Sequence, residues 1–97
     1  MANTVSITDN LFGVDEAWLS QQSEAIIEPE RPIIDPHHHF WAAPSRYLFD
    51  ELLADTRSGH NIRATVYMQC RSMYRADGPA EFACLGETEF VNGIAAM

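Results

Sequence analysis

The sequence of 97 residues contains no lysine, and its six basic residues are all arginines, scattered among fourteen acidic ones. The formal net charge of -8 leaves no basic patch or stripe of the kind that binds nucleic acid. A polybasic cluster for anchoring to an anionic lipid surface is missing as well. We therefore expect neither nucleic acid nor a membrane among the partners of this protein.

Several other common signals are missing. Residues 1–19 have no positively charged start and no long apolar run, so they do not resemble a secretory signal. No stretch approaches the roughly 18 apolar residues of a membrane span. Cys70 and Cys84 form no Cys-x-x-Cys motif and are expected to be free thiols. The sequence also lacks a Gly-x-Ser-x-Gly nucleophile elbow and a phosphate-binding glycine loop. Together these absences predict a cytoplasmic protein without a nucleophilic triad.

An apolar content of 46% is enough for one small domain and excludes a disordered chain. Pro29 and Pro32 separate a weakly patterned N-terminal region from the rest, because two prolines three apart cannot lie inside one helix. Apolar periodicity and turn signals predict alternating helices and strands. The predicted order is a helix over about 15–27, a strand over 33–41, a helix over 47–57, a strand over 62–70 and a helix from Pro79 to the last residue. This order implies an α/β fold with parallel strands.

Two features of the pattern predict an incomplete domain. The last helix has no C-terminal stop signal, and its final residues are apolar. A two-stranded parallel sheet would leave both edges unpaired and could not cover both of its faces. We therefore expect the chain to be part of a larger fold, and a small, closed interaction module is the less favoured alternative.

The segment from Asp35 to His39 (Asp-Pro-His-His-His) contains the candidate metal-binding residues. Alternate side chains of a strand share a face, so Asp35, His37 and His39 are predicted to point one way and His38 the other. Two neutral imidazoles at this spacing can converge on one divalent metal such as zinc. Asp35 is predicted to orient a ligand ring as a hydrogen-bonding carboxylate. A solvated surface pair is the alternative for His37 and His39, and His38 is most simply a packing residue.

The sequence does not complete such a site, because a metal ion needs three or four protein ligands. His60 precedes the second strand and is predicted to lie in a loop at the opposite end of the sheet, roughly 20 Å away at ~3.3 Å per residue. Cys70 ends the second strand on the histidine side and is either a further ligand or a buried free thiol. Arg71 and Arg75 could grip a substrate carboxylate or could simply be solvated. Three aromatic residues are candidates for a pocket, with core packing as the better default: Trp41, Tyr67 and Tyr74.

The segment IIDPHHHFW (33–41) resembles the first barrel strand of the amidohydrolase-related family of TIM-barrel metal-dependent hydrolases. In that family, Asp-x-His-x-His lies at the C-terminal end of the strand. The likeness continues in the same order through YLFDELLAD (47–55), GHN (59–61), ATVYMQCRSMY (64–74) and GETEFVNGIA (86–95). The resemblance implies that His37 and His39 are metal ligands and that Asp35 matches the acidic position of the motif.

A complete barrel needs about 250 residues. The resemblance therefore implies that 32–97 is the N-terminal part of a TIM (β/α)8 barrel, about two of its eight strand–helix units, preceded by an extension over 1–31. The remaining ligands, typically a histidine and an aspartate, would come from later strands. The implied cofactor is a divalent metal, zinc or else manganese, incompletely liganded by this chain.

The family resemblance implies a hydrolase that acts on a lactone, ester or amide carbonyl of a small-molecule substrate through a metal-activated water. Metal-dependent decarboxylases and hydratases belong to the same family and are the alternative for the parent enzyme. A second alternative is that the 97-residue chain is itself non-catalytic, as a fragment or a weak metal-binding segment. The residues do not identify the substrate-binding groups, the catalytic base or the oligomeric state.

Overall fold

The computed structural model describes residues 15–97, and residues 1–14 of the predicted extension lie outside the described part. The fold is mixed α/β, with a small parallel sheet of two strands and three α-helices in the described residues. The elements, with a short 3-10 helix at Ala80–Phe82, are α1 (Glu16–Leu19), β1 (Pro32–His38), α2 (Phe49–Thr56), β2 (Asn61–Tyr67) and α3 (Leu85–Ala95).

The first helix is much shorter than predicted. Asp15 caps it, since its Oδ1 accepts a hydrogen bond from the Trp18 backbone N–H at 3.0 Å. The helix nevertheless ends at Leu19, whereas the prediction extended it to Ile27. Ile27 is 94% exposed, and no residue of the helix itself is buried, so little packing is available to stabilise further turns. The prediction over 15–27 is therefore wrong beyond Leu19.

The two strands pair in parallel, as predicted. Pro32 lies opposite Asn61 at one end of the ladder and His38 lies opposite Tyr67 at the other. The register shifts between Asp35 and His38, around Pro36, which has no backbone N–H to donate to the ladder. A proline within a strand is expected at an edge or an irregular position, and Pro36 lies at such an irregularity.

Strand β1 ends three residues earlier than predicted, because the chain turns back on itself after the histidines. Trp41 and Tyr47 form an isolated antiparallel bridge in which each backbone N–H donates to the carbonyl of the other at 2.8 Å. This bridge closes a loop that leads into α2. The N-terminus of α2 is capped by Glu51, whose carboxylate accepts the Leu48 backbone N–H at 3.2 Å.

The last predicted helix is divided in two. The 3-10 turn at Ala80–Phe82 follows Pro79, and α3 begins at Leu85. Gly86 brings α3 very close to the preceding loop, because a Cβ atom at this position would lie 2.4 Å from the Met73 carbonyl oxygen and 2.5 Å from the Arg75 nitrogen. The start of α3 is thereby held directly against the backbone of the loop that follows β2.

Helices α2 and α3 lie on one face of the sheet. Phe40, at 1% exposed, is the only buried apolar side chain among residues 15–97, and its ring lies 5.4 Å from Tyr67 and 5.9 Å from Phe90. Around it, the sheet and both longer helices line a cavity of about 300 Å³. On the other face, Ile34 and Val66 are 64% and 46% exposed. The sheet therefore has one covered face and one open apolar face.

The helices of the described part are also short. None of those between residues 15 and 97 is long and apolar enough to cross a lipid bilayer.

Candidate metal centre

His37 and His39 come together at the C-terminal end of β1, as the strand spacing predicts. Their Nε2 atoms lie 3.0 Å apart. The two rings meet nearly at right angles, with centroids 4.8 Å apart and an interplanar angle of 82°. His37 is exposed and His39 is half-buried, so the pair is open to solvent on one side.

The orientation of the His39 ring is fixed by a backbone group that the sequence did not identify. Nδ1 of His39 lies 2.8 Å from the carbonyl oxygen of Met68, directly after β2. A carbonyl oxygen can only accept, so Nδ1 must carry the proton and donate it. In the neutral ring the Nε2 atom of His39 then bears the free lone pair, and it points toward Nε2 of His37. This is the tautomer that a metal ligand needs.

The carboxylate of Asp35 acts on the same segment through the main chain. Its Oδ1 accepts a hydrogen bond from the His37 backbone N–H at 3.1 Å. This contact spans two residues and holds the bend at Pro36, where the ladder register shifts. Asp35 therefore positions the backbone of a candidate ligand, and the predicted contact with an imidazole ring stays a prediction.

The separation of the two Nε2 atoms can be compared with that expected in a metal site. Two nitrogens that each lie about 2.0–2.1 Å from one tetrahedral ion would be about 3.3 Å apart. The observed Nε2 separation of 3.0 Å is a few tenths of an ångström shorter, and it is the length of a hydrogen bond in which His37 Nε2–H donates to the lone pair of His39 Nε2. Within residues 15–97, however, no group of three or more histidine, cysteine or acidic side chains could hold a metal. The described residues thus bring together two imidazole nitrogens, fewer than the three or four ligands that a metal site requires.

His38 lies on the other side of the strand, in contact with the core. Its ring makes edge-to-face contacts with Phe40 and Tyr67, at centroid distances of 5.3 and 5.5 Å. Burial lowers the pKa of the His38 imidazole, against the opposing effect of the Asp35 charge. Its Nδ1 atom is buried and has no hydrogen-bond partner among the described residues. These contacts confirm the prediction that His38 is a packing residue.

His60 does not belong to the site. It immediately precedes Asn61, which pairs with Pro32 at the N-terminal end of the ladder. The histidine pair lies at the other end, next to the His38–Tyr67 pairing. The prediction that His60 is a loop residue at the opposite end of the sheet is confirmed.

The remaining candidate residues, one cysteine and two arginines, have different environments. Cys70 is a half-buried free thiol whose Sγ lies 3.4 Å from the Phe40 carbonyl oxygen, so the structure favours the buried-thiol alternative. Arg75 forms a surface ion pair with Glu89 of α3, and its side chain is 41% exposed. Arg71 is exposed, with a positive φ of 66°.

The three aromatic candidates have different surroundings. The Trp41 ring lies 5.4 Å from the His39 ring and borders the histidine pair. Tyr67 stacks on Phe40 in the core, in agreement with the prediction of core packing. The Tyr74 hydroxyl accepts a hydrogen bond from Gln69 at 3.3 Å and is more exposed. Trp41 is therefore the aromatic residue that shapes the environment of the candidate ligands.

A buried carboxylate, Glu87, organises the loop after β2. It is 4% exposed, and a single oxygen atom, Oε2, accepts three strong hydrogen bonds. The donors are the Cys70 backbone N–H at 3.0 Å, the Ser72 backbone N–H at 3.0 Å and the Tyr67 hydroxyl at 2.8 Å. Burial alone would raise the pKa of Glu87, but these hydrogen bonds outweigh it and hold the pKa below its ordinary value.

Nothing in the sequence distinguishes this glutamate from its neighbours. An acidic residue in the first turn of a helix normally complements the helix dipole while remaining in solvent. Glu89, two residues further, is more than half exposed and makes only a surface ion pair with Arg75 in the described structure. Burial of Glu87 results from the close approach of α3 to the loop at Gly86, which is a tertiary feature.

Comparisons with known proteins add no relative: no protein-family model, no curated protein and no solved structure matches the chain.

Proposed function

We propose that this chain is the N-terminal part of an amidohydrolase-related TIM-barrel enzyme and that His37 and His39 bind its divalent metal, zinc or manganese. The observation that carries the proposal is the convergence of the two Nε2 atoms at 3.0 Å with the His39 proton held on Nδ1. The position supports it too, since the active sites of such barrels lie at the C-terminal ends of parallel strands.

The open side of the sheet supports the barrel as the complete architecture. Ile34 and Val66 expose apolar surface on the face away from the helices, where the strands of a barrel carry its packed interior. Parallel sheets are normally covered on both faces. Further strands would cover this surface and would supply the ligands that residues 15–97 lack.

The proposed reaction is hydrolysis of a lactone, ester or amide bond in a small molecule. A bound divalent ion would polarise the carbonyl and lower the pKa of a coordinated water toward ~7. In this chain, His37 and His39 would each present an Nε2 lone pair. Asp35 would hold the His37 backbone and the Met68 carbonyl would hold the His39 ring. Decarboxylation or hydration by the same family of enzymes remains the alternative reaction.

Zinc titration of the purified chain by calorimetry tests the metal site. We expect His37→Ala and His39→Ala each to weaken zinc binding at least tenfold, because changes even to groups that only support ligands cost 10–100-fold. His60→Ala is the matched control, since His60 lies at the opposite end of the sheet, and it should bind zinc as the unsubstituted chain does. Equal zinc affinity in all four proteins would refute the site.

A second proposal concerns the chain itself, which lacks a third ligand within its described residues. We expect no metal-dependent turnover of lactones or aryl esters by the 97-residue chain with added zinc or manganese. The measurement is a spectrophotometric hydrolysis assay, with the metal alone as the blank. Turnover that depends on metal and disappears in His37→Ala would show that this chain is catalytic, and the second proposal would then be wrong.

A further inference from the structure

Glu87 is connected to the histidine pair through hydrogen bonds and short stretches of backbone. Its Oε2 atom accepts the backbone N–H groups of Cys70 and Ser72 at 3.0 Å each, which fixes the loop directly after β2. The side chains of the same two residues also contact the segment just after β1. The Ser72 hydroxyl donates to the carbonyl oxygen of Phe40, and the Cys70 thiol donates to the same atom at 3.4 Å. Phe40 directly follows His39 in the chain.

A second connection runs through the segment between β2 and the loop. The Met68 N–H donates to the His38 carbonyl at 2.9 Å, and the Met68 carbonyl accepts from His39 Nδ1 at 2.8 Å. Met68 lies between Tyr67 and Cys70, and both of these residues donate to Glu87. The backbone that orients the His39 ring is thus held on both sides by one buried carboxylate.

We propose that Glu87 is a positioning residue for the histidine pair: it fixes the segment 67–72, which in turn holds the His39 ring and the Phe40 carbonyl. This inference rests on the proposed metal site for its function, but the contacts that carry it are independent of any metal. Hydrogen bonds to a charged acceptor are about twice as strong as neutral ones, so a carboxylate suits this role better than an amide. Loss of the charge therefore weakens the hydrogen bonds that position the Met68 carbonyl, which accepts the His39 Nδ1–H, and it leaves both histidines unchanged.

Three variants of the purified chain test the role. Glu87→Gln keeps the side-chain shape and removes the charge. Ser72→Ala keeps the N–H that donates to Glu87 and removes only the hydroxyl bond to Phe40. Glu89→Gln is the matched control, because it alters an exposed glutamate two residues away on the same helix. We expect the first two variants to weaken zinc binding about tenfold, the lower end of the effect of groups that support metal ligands, and the control to leave it unchanged.

The second readout is the imidazole ¹⁵N spectrum of the metal-free chain. We expect His39 in the unsubstituted protein to show the Nδ1–H tautomer and Glu87→Gln to show a mixture of tautomers. A purely structural role would instead lower the helical circular dichroism of Glu87→Gln and leave zinc binding by Ser72→Ala unchanged. That combination overturns the inference, and so does wild-type zinc affinity in Glu87→Gln with its helices intact.

The two proposals fail in different ways. If zinc binding does not depend on His37 or His39, the metal site is wrong, and the metal-free ¹⁵N spectrum still decides whether Glu87 positions the ring. If His39 keeps its Nδ1–H tautomer fully in Glu87→Gln, the positioning role is wrong even where zinc binding requires both histidines.

Discussion

Gly86→Ala is expected to destabilise the start of α3 by about 3 kcal/mol, at the upper end of the usual cost of overpacking. The new Cβ atom would lie 2.4 Å from the Met73 carbonyl oxygen and 2.5 Å from the Arg75 nitrogen. Both are backbone atoms, so neither can move aside as the end of a flexible side chain could. The helix and the loop must separate instead. This separation also removes the close packing that buries Glu87.

Gly93→Ala in the same helix is the matched control and should change stability in the opposite direction. Among residues 15–97, no atom outside the nearby backbone of the helix lies within 4 Å of a Cβ placed there, and alanine favours a helix over glycine by about 1 kcal/mol. Amide hydrogen exchange across Leu85–Ala95 measures both effects locally. A free-energy change of 1.4 kcal/mol corresponds to a tenfold change in an equilibrium constant. We therefore expect the amide protection factors to be about 100-fold lower in Gly86→Ala and up to about fivefold higher in Gly93→Ala. Equal protection in the two variants would contradict the close approach at Gly86.

The sequence predicted those elements whose cause is local. The apolar stripe of α2 and the β-branched run of β2 are visible in the residues themselves, and both elements form with ends shifted by one to three residues. The parallel pairing followed from the order of the elements. The first helix is shorter than its pattern predicted. None of its residues is buried, and a short helix without tertiary packing is only marginally stable.

The candidate site was predictable only in part. Strand spacing alone brings His37 and His39 together on one face. The group that sets the His39 tautomer is a backbone carbonyl 29 residues away, and a carbonyl has no residue-type signature. The burial of Glu87 could not be predicted either, because it depends on how α3 packs against the loop and not on the position of the residue in the helix. The convergence of the two candidate ligands could thus be predicted, whereas the groups that hold them could not.

Acidification is expected to release the loop after β2 as Glu87 takes up a proton. The pKa of this carboxyl is lowered in the folded chain, because the hydrogen bonds to its charged form outweigh burial. A lowered folded-state pKa means that the charged carboxylate stabilises the fold above the unfolded-state pKa. This stability begins to decline as the pH falls through the ordinary value of about 4.5 and is lost once the pH is below the folded-state pKa.

The backbone N–H groups of Cys70 and Ser72 report this titration directly, since both donate to Glu87. In a pH series of ¹H–¹⁵N spectra, we expect their amide shifts to change together with a midpoint below 4.5, and their hydrogen-exchange protection, corrected for the intrinsic rate, to fall over the same range. Glu87→Gln should abolish the common transition, whereas Glu89→Gln should retain it. Hydrogen bonds to a charged partner contribute about 1.5–3 kcal/mol each, so the loss of protection should be at least tenfold. A midpoint above 4.5 would mean that burial outweighs the hydrogen bonds, and Glu87 would then hold the loop as a neutral acid.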